Sequence, residues 1–208
     1  MSYIRWFKEI SIKDVPQVGG KNASLGEMYS HLTQKGIKIP NGFAITAQAY
    51  FDFLKQGNIY YEIKRILGAS NLKNIKELQK AGKIIRNLIL TTPLPSKLEK
   101  EILEAYHILS SQYQDKNTDV AVRSSATAED LPSASFAGQH ETYLNVRGVE
   151  ELLQAVKKSY ASLFLDRAII YREEKGFDHL KIAVSTCVQK MVRSDTGSSG
   201  VMFTLDTE

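Results

Sequence analysis

Apolar residues recur at intervals of three and four over long parts of the chain, which is the spacing of one face of an α-helix. Between residues 47 and 115 this spacing continues almost without interruption, and it predicts a mainly helical subdomain there. Ser96 and Glu99 have the spacing of a capping box at the start of the last helix of that subdomain. The helices predicted from the pattern cover residues 24–34, 47–56, 59–67, 75–90, 96–112 and 149–175, the last with a break near residues 164–166.

Shorter stretches alternate between apolar and polar residues, as half-buried β-strands do. Between two such stretches, at residues 120–123 and 141–146, lies a segment rich in Ser, Ala and Thr that predicts a loop over residues 124–138. Further strands are predicted at residues 43–46, 181–192 and 200–205. Strands and helices mixed in this way indicate an α+β fold.

Composition restricts the class of protein. The chain has 208 residues, of which 43% are hydrophobic and 24% charged, values that are typical of a globular protein and exclude a disordered or fibrous one. No run approaches the ~18 apolar residues of a membrane span, and charges occupy the positions where a secretory signal is apolar. We therefore expect a cytoplasmic protein without a membrane partner. The single cysteine, Cys187, excludes an internal disulfide and, by itself, a thiolate metal site.

Lys21 follows two glycines at the start of a predicted helix. Unpaired main-chain N–H groups and the positive end of the helix dipole favour phosphate at such a place. The segment is not a Walker A loop, because Val15 and Asn22 stand where that motif needs a glycine and a hydroxyl residue. The alternative is an ordinary solvated lysine in a turn.

Arg123 stands at the end of a predicted strand and runs directly into Ser124, Ser125 and, two residues later, Thr127. A guanidinium group, hydroxyls and loop amides together suit an oxyanion, and a loop of small residues can close over a bound nucleotide. The alternative is a disordered surface loop beside an arginine in a salt bridge.

Five segments carry a resemblance to a known family: VGGKNASLGEM, PNGFAIT, VAVRSSATAEDLPSASFAGQHETYLNV, VQKMV and SGVMFTLD, in this order. Together they resemble the amino-terminal ATP-binding region of the family that contains phosphoenolpyruvate synthases, pyruvate phosphate dikinases and rifampin phosphotransferases. The resemblance implies that residues 1–208 are the amino-terminal part of an ATP-grasp domain. It also implies phosphoryl transfer from ATP to a histidine on a second domain and then to pyruvate on a third.

The family's phosphate-binding roles carry over only to matching positions. Lys21 resembles the lysine that contacts the nucleotide phosphates, and Arg123 resembles the catalytic arginine that steadies the transferring group. Gly138 and Thr142 resemble positions that meet the phosphates from a lid, where a missing side chain at 138 allows close main-chain approach.

The adenine pocket is implied by the segment VQKMV. Gln189 resembles the family residue at the adenine, and Met191 offers a soft apolar wall beside it. On the pattern alone, the alternatives are a solvent-facing Gln189 and a Met191 that packs in the core.

The resemblance implies ATP and Mg²⁺ as cofactors, but we assign no metal ligand within the chain. Glu129 and Asp130 are adjacent acids in a predicted loop, where carboxylates usually face water, and the family's magnesium ligands are expected beyond residue 208. None of the histidines, which are His31, His107, His140 and His179, has the Thr-Ser-His-Ala context of the family's phosphocarrier.

The chain stops at Glu208 directly after an apolar segment that predicts a buried strand, so we expect a fragment of a longer protein. The phosphohistidine and pyruvate-binding domains of the parent chain are its expected partners. We expect the 208 residues alone to be inactive.

Two other functions remain open. The same lobe serves pyruvate phosphate dikinases and antibiotic phosphotransferases, because the nucleotide lobe does not touch the acceptor. The net charge of +4 also allows a non-catalytic anion- or RNA-binding module, although we expect no nucleic acid partner because the lysines lie among glutamates on helices. A binding module needs Lys21 and Arg123 far apart on an open face, whereas a nucleotide site needs both in one cleft.

Overall fold

A computed structural model describes residues 2–127 and 141–202 of the chain, together with the backbone of residues 130–131 and 134–135. Its strands are β1 (Ile4–Trp6), β2 (Gly42–Ile45), β3 (Val120–Ala126), β4 (Asp130–Leu131), β5 (Ala134–Ser135), β6 (Thr142–Val146) and β7 (Val184–Lys190). Five of them form one sheet in the order β1-β2-β7-β3-β6, and every neighbouring pair is antiparallel. Strands β4 and β5 pair only with each other.

The helices account for most of the rest. They are α1 (Val15–Leu32), α2 (Ala47–Gln56), α3 (Tyr60–Gly68), α4 (Ile75–Thr91), α5 (Ser96–Gln112), α6 (Val149–Ala161) and α7 (Asp166–Lys175). The α+β class predicted from the sequence is confirmed. In the described part of the chain, no helix is both long enough and apolar enough to cross a lipid bilayer.

The sheet separates two hydrophobic layers. Phe43 and Ile45 of β2 point into the larger layer, which the apolar faces of α2 to α7 complete. Ala44, the residue between them, points into a smaller layer together with Cys187 and with Ala23 of α1. All four residues of β2 are therefore buried, as expected for a strand covered on both faces. The smaller layer is the one that positions the candidate site.

Most of the predicted elements are present. The four helices predicted between residues 47 and 112 are confirmed, and a 3-10 turn at Ser162–Phe164 separates α6 from α7 where a break was predicted. The strand predicted at 181–192 is shorter and corresponds to β7. Residues 200–202 are in no strand, and the rest of the strand predicted at 200–205 lies outside the described residues.

Two local predictions are wrong. The capping box is absent: α5 begins at Ser96 itself, Pro95 occupies the position before it, and no side chain caps the helix. The loop predicted from residue 124 starts later, because β3 continues to Ala126. Ser124 and Ser125 are buried there, paired in register with Thr186 and Ser185 of β7.

Candidate functional site

A break at Gly19 divides α1 into two helical parts. Gly19 has φ 74° and ψ 164°, so the helix starts again at Gly20, and Lys21 lies in the first turn of the second part. A Cβ atom on Gly19 would lie 2.3 Å from Ser125 Oγ and 2.6 Å from the Ser125 carbonyl oxygen. Only glycine permits both this conformation and this approach. The helix predicted to begin at Ser24 therefore begins earlier, at Val15, and the glycines mark a break within it.

Arg123 lies in the middle of β3, opposite Cys187 of β7 on one side and Thr142 of β6 on the other. Cys187 in turn lies opposite Ala44 of β2. Residues directly opposite each other on antiparallel strands project from the same face of a sheet. The Arg123 side chain therefore projects from the face that α1 covers, and it is exposed at the border of the covered area.

Lys21 and Arg123 meet at one cavity of about 310 Å³ between α1 and the sheet. Helix α1 contributes Gly20, Lys21, Ser24, Leu25 and Met28 to its lining, and the sheet contributes Arg123 and Cys187. This arrangement is the one expected of a nucleotide site and differs from the open, separated cations expected of a binding module. No hydrogen bond or ion pair joins the Arg123 guanidinium to another residue of the described ranges.

The wall of this cavity under Arg123 is neutral. Cys187 is 1% exposed, and burial raises the pKa of its thiol to about 12, although the neighbouring Arg123 charge acts in the opposite direction. The group is therefore a thiol at neutral pH and is not a nucleophile. Cys187 therefore places no negative charge next to Arg123, which suits an anionic ligand.

The other expected binding residues lie nearby on the same face. Thr142 is exposed next to Arg123. Gln189 is two residues after Cys187 on β7, so it projects from the same face. Gln189 is 8% exposed, and its Nε2 donates to the Pro40 carbonyl oxygen at 3.2 Å, which excludes the solvent-facing alternative. Gly138 lies outside the described residues.

Met191 lines a different cavity, of about 640 Å³. Its neighbours there include Ile37, Pro40, Tyr113 and Val192, so the lining is largely apolar with cations at its edge. The Met191 main-chain N–H donates to the Asp119 carbonyl oxygen at 3.0 Å. Neither Met191 nor Gln189 lines the cavity of Lys21 and Arg123.

The structure adds site residues that the sequence did not reveal. Nothing in the sequence gives Cys187 a role in nucleotide binding, and only the strand register shows that it lies beside Arg123. Ser24 and Met28 follow Lys21 at helical spacing, which is the signal that could have indicated their place beside it.

A metal site is not formed by the residues that the structure describes, since no three His, Cys, Asp or Glu side chains gather there. Glu129 lies outside those residues, and for Asp130 only the backbone is described. The residues present therefore do not fit a magnesium site of their own.

Comparison with known proteins gives a consistent picture. The family model described as "Pyruvate phosphate dikinase, AMP/ATP-binding domain" matches residues 15–208. A phosphoenolpyruvate synthase of Helicobacter pylori is 57% identical over 208 residues, which are 100% of this chain and 26% of that protein. The enzyme of Aquifex aeolicus is 55% identical over 205 residues, 99% of this chain and 24% of that protein. The enzyme of Escherichia coli is 52% identical over 205 residues, 99% of this chain and 26% of that protein. The chain thus spans about a quarter of the length of these relatives.

Proposed function

The chain belongs to the pyruvate phosphate dikinase, AMP/ATP-binding domain family, and on this basis we propose that Lys21 and Arg123 hold the triphosphate of ATP in a phosphoenolpyruvate synthase. The observation that carries the proposal is the shared cavity of these two cations. Its volume of about 310 Å³ lies at the lower end of the range of small-molecule sites, as expected for a pocket that receives only part of a ligand.

The chemistry of the cavity suits a polyphosphate. Lys21 is in the first turn of the restarted helix, where main-chain N–H groups and the helix dipole add to its charge. Arg123 offers a planar guanidinium that donates two parallel hydrogen bonds to phosphate oxygens. Two cations on separate elements can thus neutralise charge on adjacent phosphates.

The nucleotide would lie lengthwise along β7. Met191 directly follows the last residue of β7 and is four residues from Cys187, or about 13 Å of extended chain. Phosphates at Arg123 would therefore place the adenosine near Gln189 and the apolar cavity of Met191. Thr142 and Gly138 would meet the phosphates from the side of β6, as the family resemblance implies. ATP-grasp architecture, with residues 47–115 as a helical subdomain, belongs to the same proposal.

In the full enzyme, ATP, pyruvate and water would give AMP, phosphoenolpyruvate and phosphate through a phosphohistidine. Arg123 would be catalytic because it stabilises the charge that develops on the transferring phosphoryl group. The phosphohistidine and pyruvate-binding domains would belong to the three quarters of the relatives' length that this chain does not span. The family resemblance also implies bound Mg²⁺, whose ligands would lie in the part of the enzyme that this chain does not span. The 208 residues alone would then be inactive, and the enzyme would act in the cytoplasm.

A second candidate is the same domain of a pyruvate phosphate dikinase, the enzyme that gives the family its name. The residues of the cavity contact only the nucleotide in either enzyme, so they do not select the acceptor. Assays of the full-length enzyme with water or phosphate as the second acceptor distinguish the two.

The nucleotide site can be tested by titrating the chain with ATP and following ¹H–¹⁵N NMR shifts. We expect weak binding, with a Kd of roughly 1 mM, because part of the site would lie elsewhere in the enzyme. Lys21→Ala and Arg123→Ala should each weaken it about tenfold, which corresponds to the loss of one charged hydrogen bond. Lys83→Ala, an exposed cation on α4, is the matched control and should bind as the unaltered chain does. Equal binding by all four proteins, or none by the unaltered chain, refutes the proposal.

A further inference from the structure

Asn22 is a polar residue in an otherwise apolar contact between α1 and the sheet. It directly follows Lys21, is 0% exposed, and has Val18 and Ala23 as buried neighbours on the helix. Burying an amide is costly unless hydrogen bonds replace those it made to water. The Nδ2 group of Asn22 finds such bonds, whereas its Oδ1 atom accepts no hydrogen bond from the residues that the structure describes.

Those bonds join both parts of α1 to the sheet. The Asn22 Nδ2 group donates to the Val18 carbonyl oxygen at 2.9 Å, across the break at Gly19, and to Ser185 Oγ of β7 at 2.9 Å. The Asn22 main-chain N–H donates to Ser125 Oγ of β3 at 3.4 Å. Ser185 Oγ donates onward to the Ile45 carbonyl oxygen of β2 at 2.7 Å. Asn22 is thus tied to the helix before the break through its side chain, to β7 and β2 through Ser185, and to β3 through its main-chain N–H.

The bond to Val18 gives the carbonyl of a buried residue next to the break a side-chain donor. In an uninterrupted helix, the carbonyl of residue 18 accepts the main-chain N–H of residue 22. Here that carbonyl accepts the side-chain amide of Asn22, while the main-chain N–H reaches Ser125. The amide therefore stabilises the broken form of α1.

We propose that Asn22 is a positioning residue for the nucleotide site: it fixes the break at Gly19 and thereby holds Lys21 opposite Arg123. The inference rests on the proposed function, since it gives Asn22 a role in ATP binding without contact to ATP. Displacement of a charged group by about 1 Å is enough to weaken its action on a bound ligand. The adjacent Lys21 moves whenever the break moves.

The test uses Asn22→Ala and Ser185→Ala, each of which removes the bond between the two side chains. Ser159→Ala is the matched control, because Ser159 is also 0% exposed and its Oγ is 3.0 Å from Thr186 Oγ1 on the opposite face of β7. Two quantities are measured on the 208-residue chain: hydrogen exchange of the amides at residues 18–23 without ligand, and the Kd for ATP.

We expect Asn22→Ala to accelerate exchange at residues 18–23 and to raise the Kd for ATP, each about tenfold, because a buried acceptor loses its donor. Ser185→Ala should change both in the same direction but less. The double variant should bind ATP no more weakly than Asn22→Ala alone, because both substitutions remove the same hydrogen bond between residues 22 and 185. Ser159→Ala should change neither quantity.

Normal exchange at residues 18–23 in Asn22→Ala overturns the inference, and so does a Kd no higher than that of Ser159→Ala. If Asn22→Ala does not fold, Ser185→Ala decides by the same two measurements. If the unaltered chain does not bind ATP but Asn22→Ala shows faster exchange at residues 18–23, the proposed function and the role of Asn22 in ATP binding are both refuted. The anchoring of the break by Asn22 then stands as a separate result.

Discussion

Gly19 and Ser125 approach each other so closely that a Cβ atom on Gly19 would lie within 2.3 Å of Ser125 Oγ. This contact joins the break in α1 to the end of β3, two residues beyond Arg123. The contact therefore places the break, which lies two residues before Lys21, against the strand that carries Arg123. A change at Gly19 should affect both the stability of the fold and the binding of ATP.

Gly19→Ala should destabilise the chain by about 3 kcal/mol or more. The substitution adds strain at φ 74° and a clash with the Ser125 carbonyl, which is main chain and cannot rotate away. Gly36→Ala is the control, because Gly36 has φ 81° but no atom within 4 Å of the added Cβ. Gly36→Ala should lower the free energy of unfolding by about 1 kcal/mol, because only the strain of a positive φ contributes there. Urea unfolding measures the loss of stability in both variants. Equal losses of stability would show that the contact with Ser125 is unimportant.

Under the proposed function, Arg123→Ala should reduce turnover by the full-length phosphoenolpyruvate synthase. Loss of one preorganised donor to a developing charge costs about 2 to 4 kcal/mol of transition-state stabilisation. The expected effect falls on kcat/KM for ATP, measured by formation of phosphoenolpyruvate. Arg123→Lys keeps the charge and should retain part of the activity, because it lacks the planar fork of donors.

The control for this experiment is Arg65→Ala on α3, whose exposed guanidinium pairs with Glu62 on the surface. It removes the same charge from the protein at a site remote from the cavity. Unchanged kcat/KM in Arg123→Ala would exclude the proposed catalytic role, even if ATP binding were weakened.

The Cys187 thiol should make the chain less stable in alkali. Burial raises its pKa from the ordinary value of 9.0 to about 12, so the folded chain keeps a proton that the unfolded chain releases. Stability from this group is fully present below pH 9 and decreases as the pH rises from 9 to 12, by about 1.4 kcal/mol per pH unit.

Urea unfolding at pH 8 and pH 10.5 checks this expectation in the unaltered chain and in Cys187→Ala. Tyr50 and Tyr160 also have pKa values raised by burial, but they contribute equally to both proteins. The variant should therefore lose about 2 kcal/mol less than the unaltered chain between the two pH values. Equal losses of stability in the two proteins would mean that the Cys187 thiol has the same pKa in the folded and the unfolded chain.

The helices were predictable because their burial follows a local rule. In α4, the buried residues Leu78, Ala81 and Ile85 stand at the spacing that predicted the helix. The end of β3 was not predictable, because Ser124 and Ser125 have the composition of a loop. They are in a strand because β7 supplies their main-chain partners, and that pairing joins residues far apart in the sequence.

The candidate site, like the fold, has residues that the sequence predicts and residues that it does not. Residue chemistry and family resemblance singled out Lys21 and Arg123, and the structure places both at one cavity. Asn22 and Cys187 gave no such signal, because their importance arises from the break in α1 and from the register of β3 with β7. Both are tertiary relationships that a pattern of apolar residues does not contain.

Asp119 and Lys190 form an ion pair at 2.5 Å beside the cavity of Met191, with side chains only 19% and 16% exposed. Burial acts to raise the pKa of Asp119, but the bond from Lys190 and the main chain outweigh it and hold the pKa below its ordinary value. The pair therefore stabilises the fold above the ordinary pKa of an aspartate, and this contribution is lost as the pH falls through the lowered value.

Asp119→Asn should destabilise the chain by about 2 kcal/mol at pH 7, because it leaves the Lys190 charge largely buried without its counterion. Glu62→Gln is the matched control, since Glu62 and Arg65 also lie 2.5 Å apart but are 42% and 68% exposed. The control should lower the free energy of unfolding far less than Asp119→Asn does, because solvent screens an exposed pair. Urea unfolding at pH 7 and at successively lower pH should show the unaltered chain and Asp119→Asn converging as the pH falls through the lowered pKa of Asp119. A difference that does not decrease as Asp119 becomes protonated would mean that shape, and not charge, explains the loss.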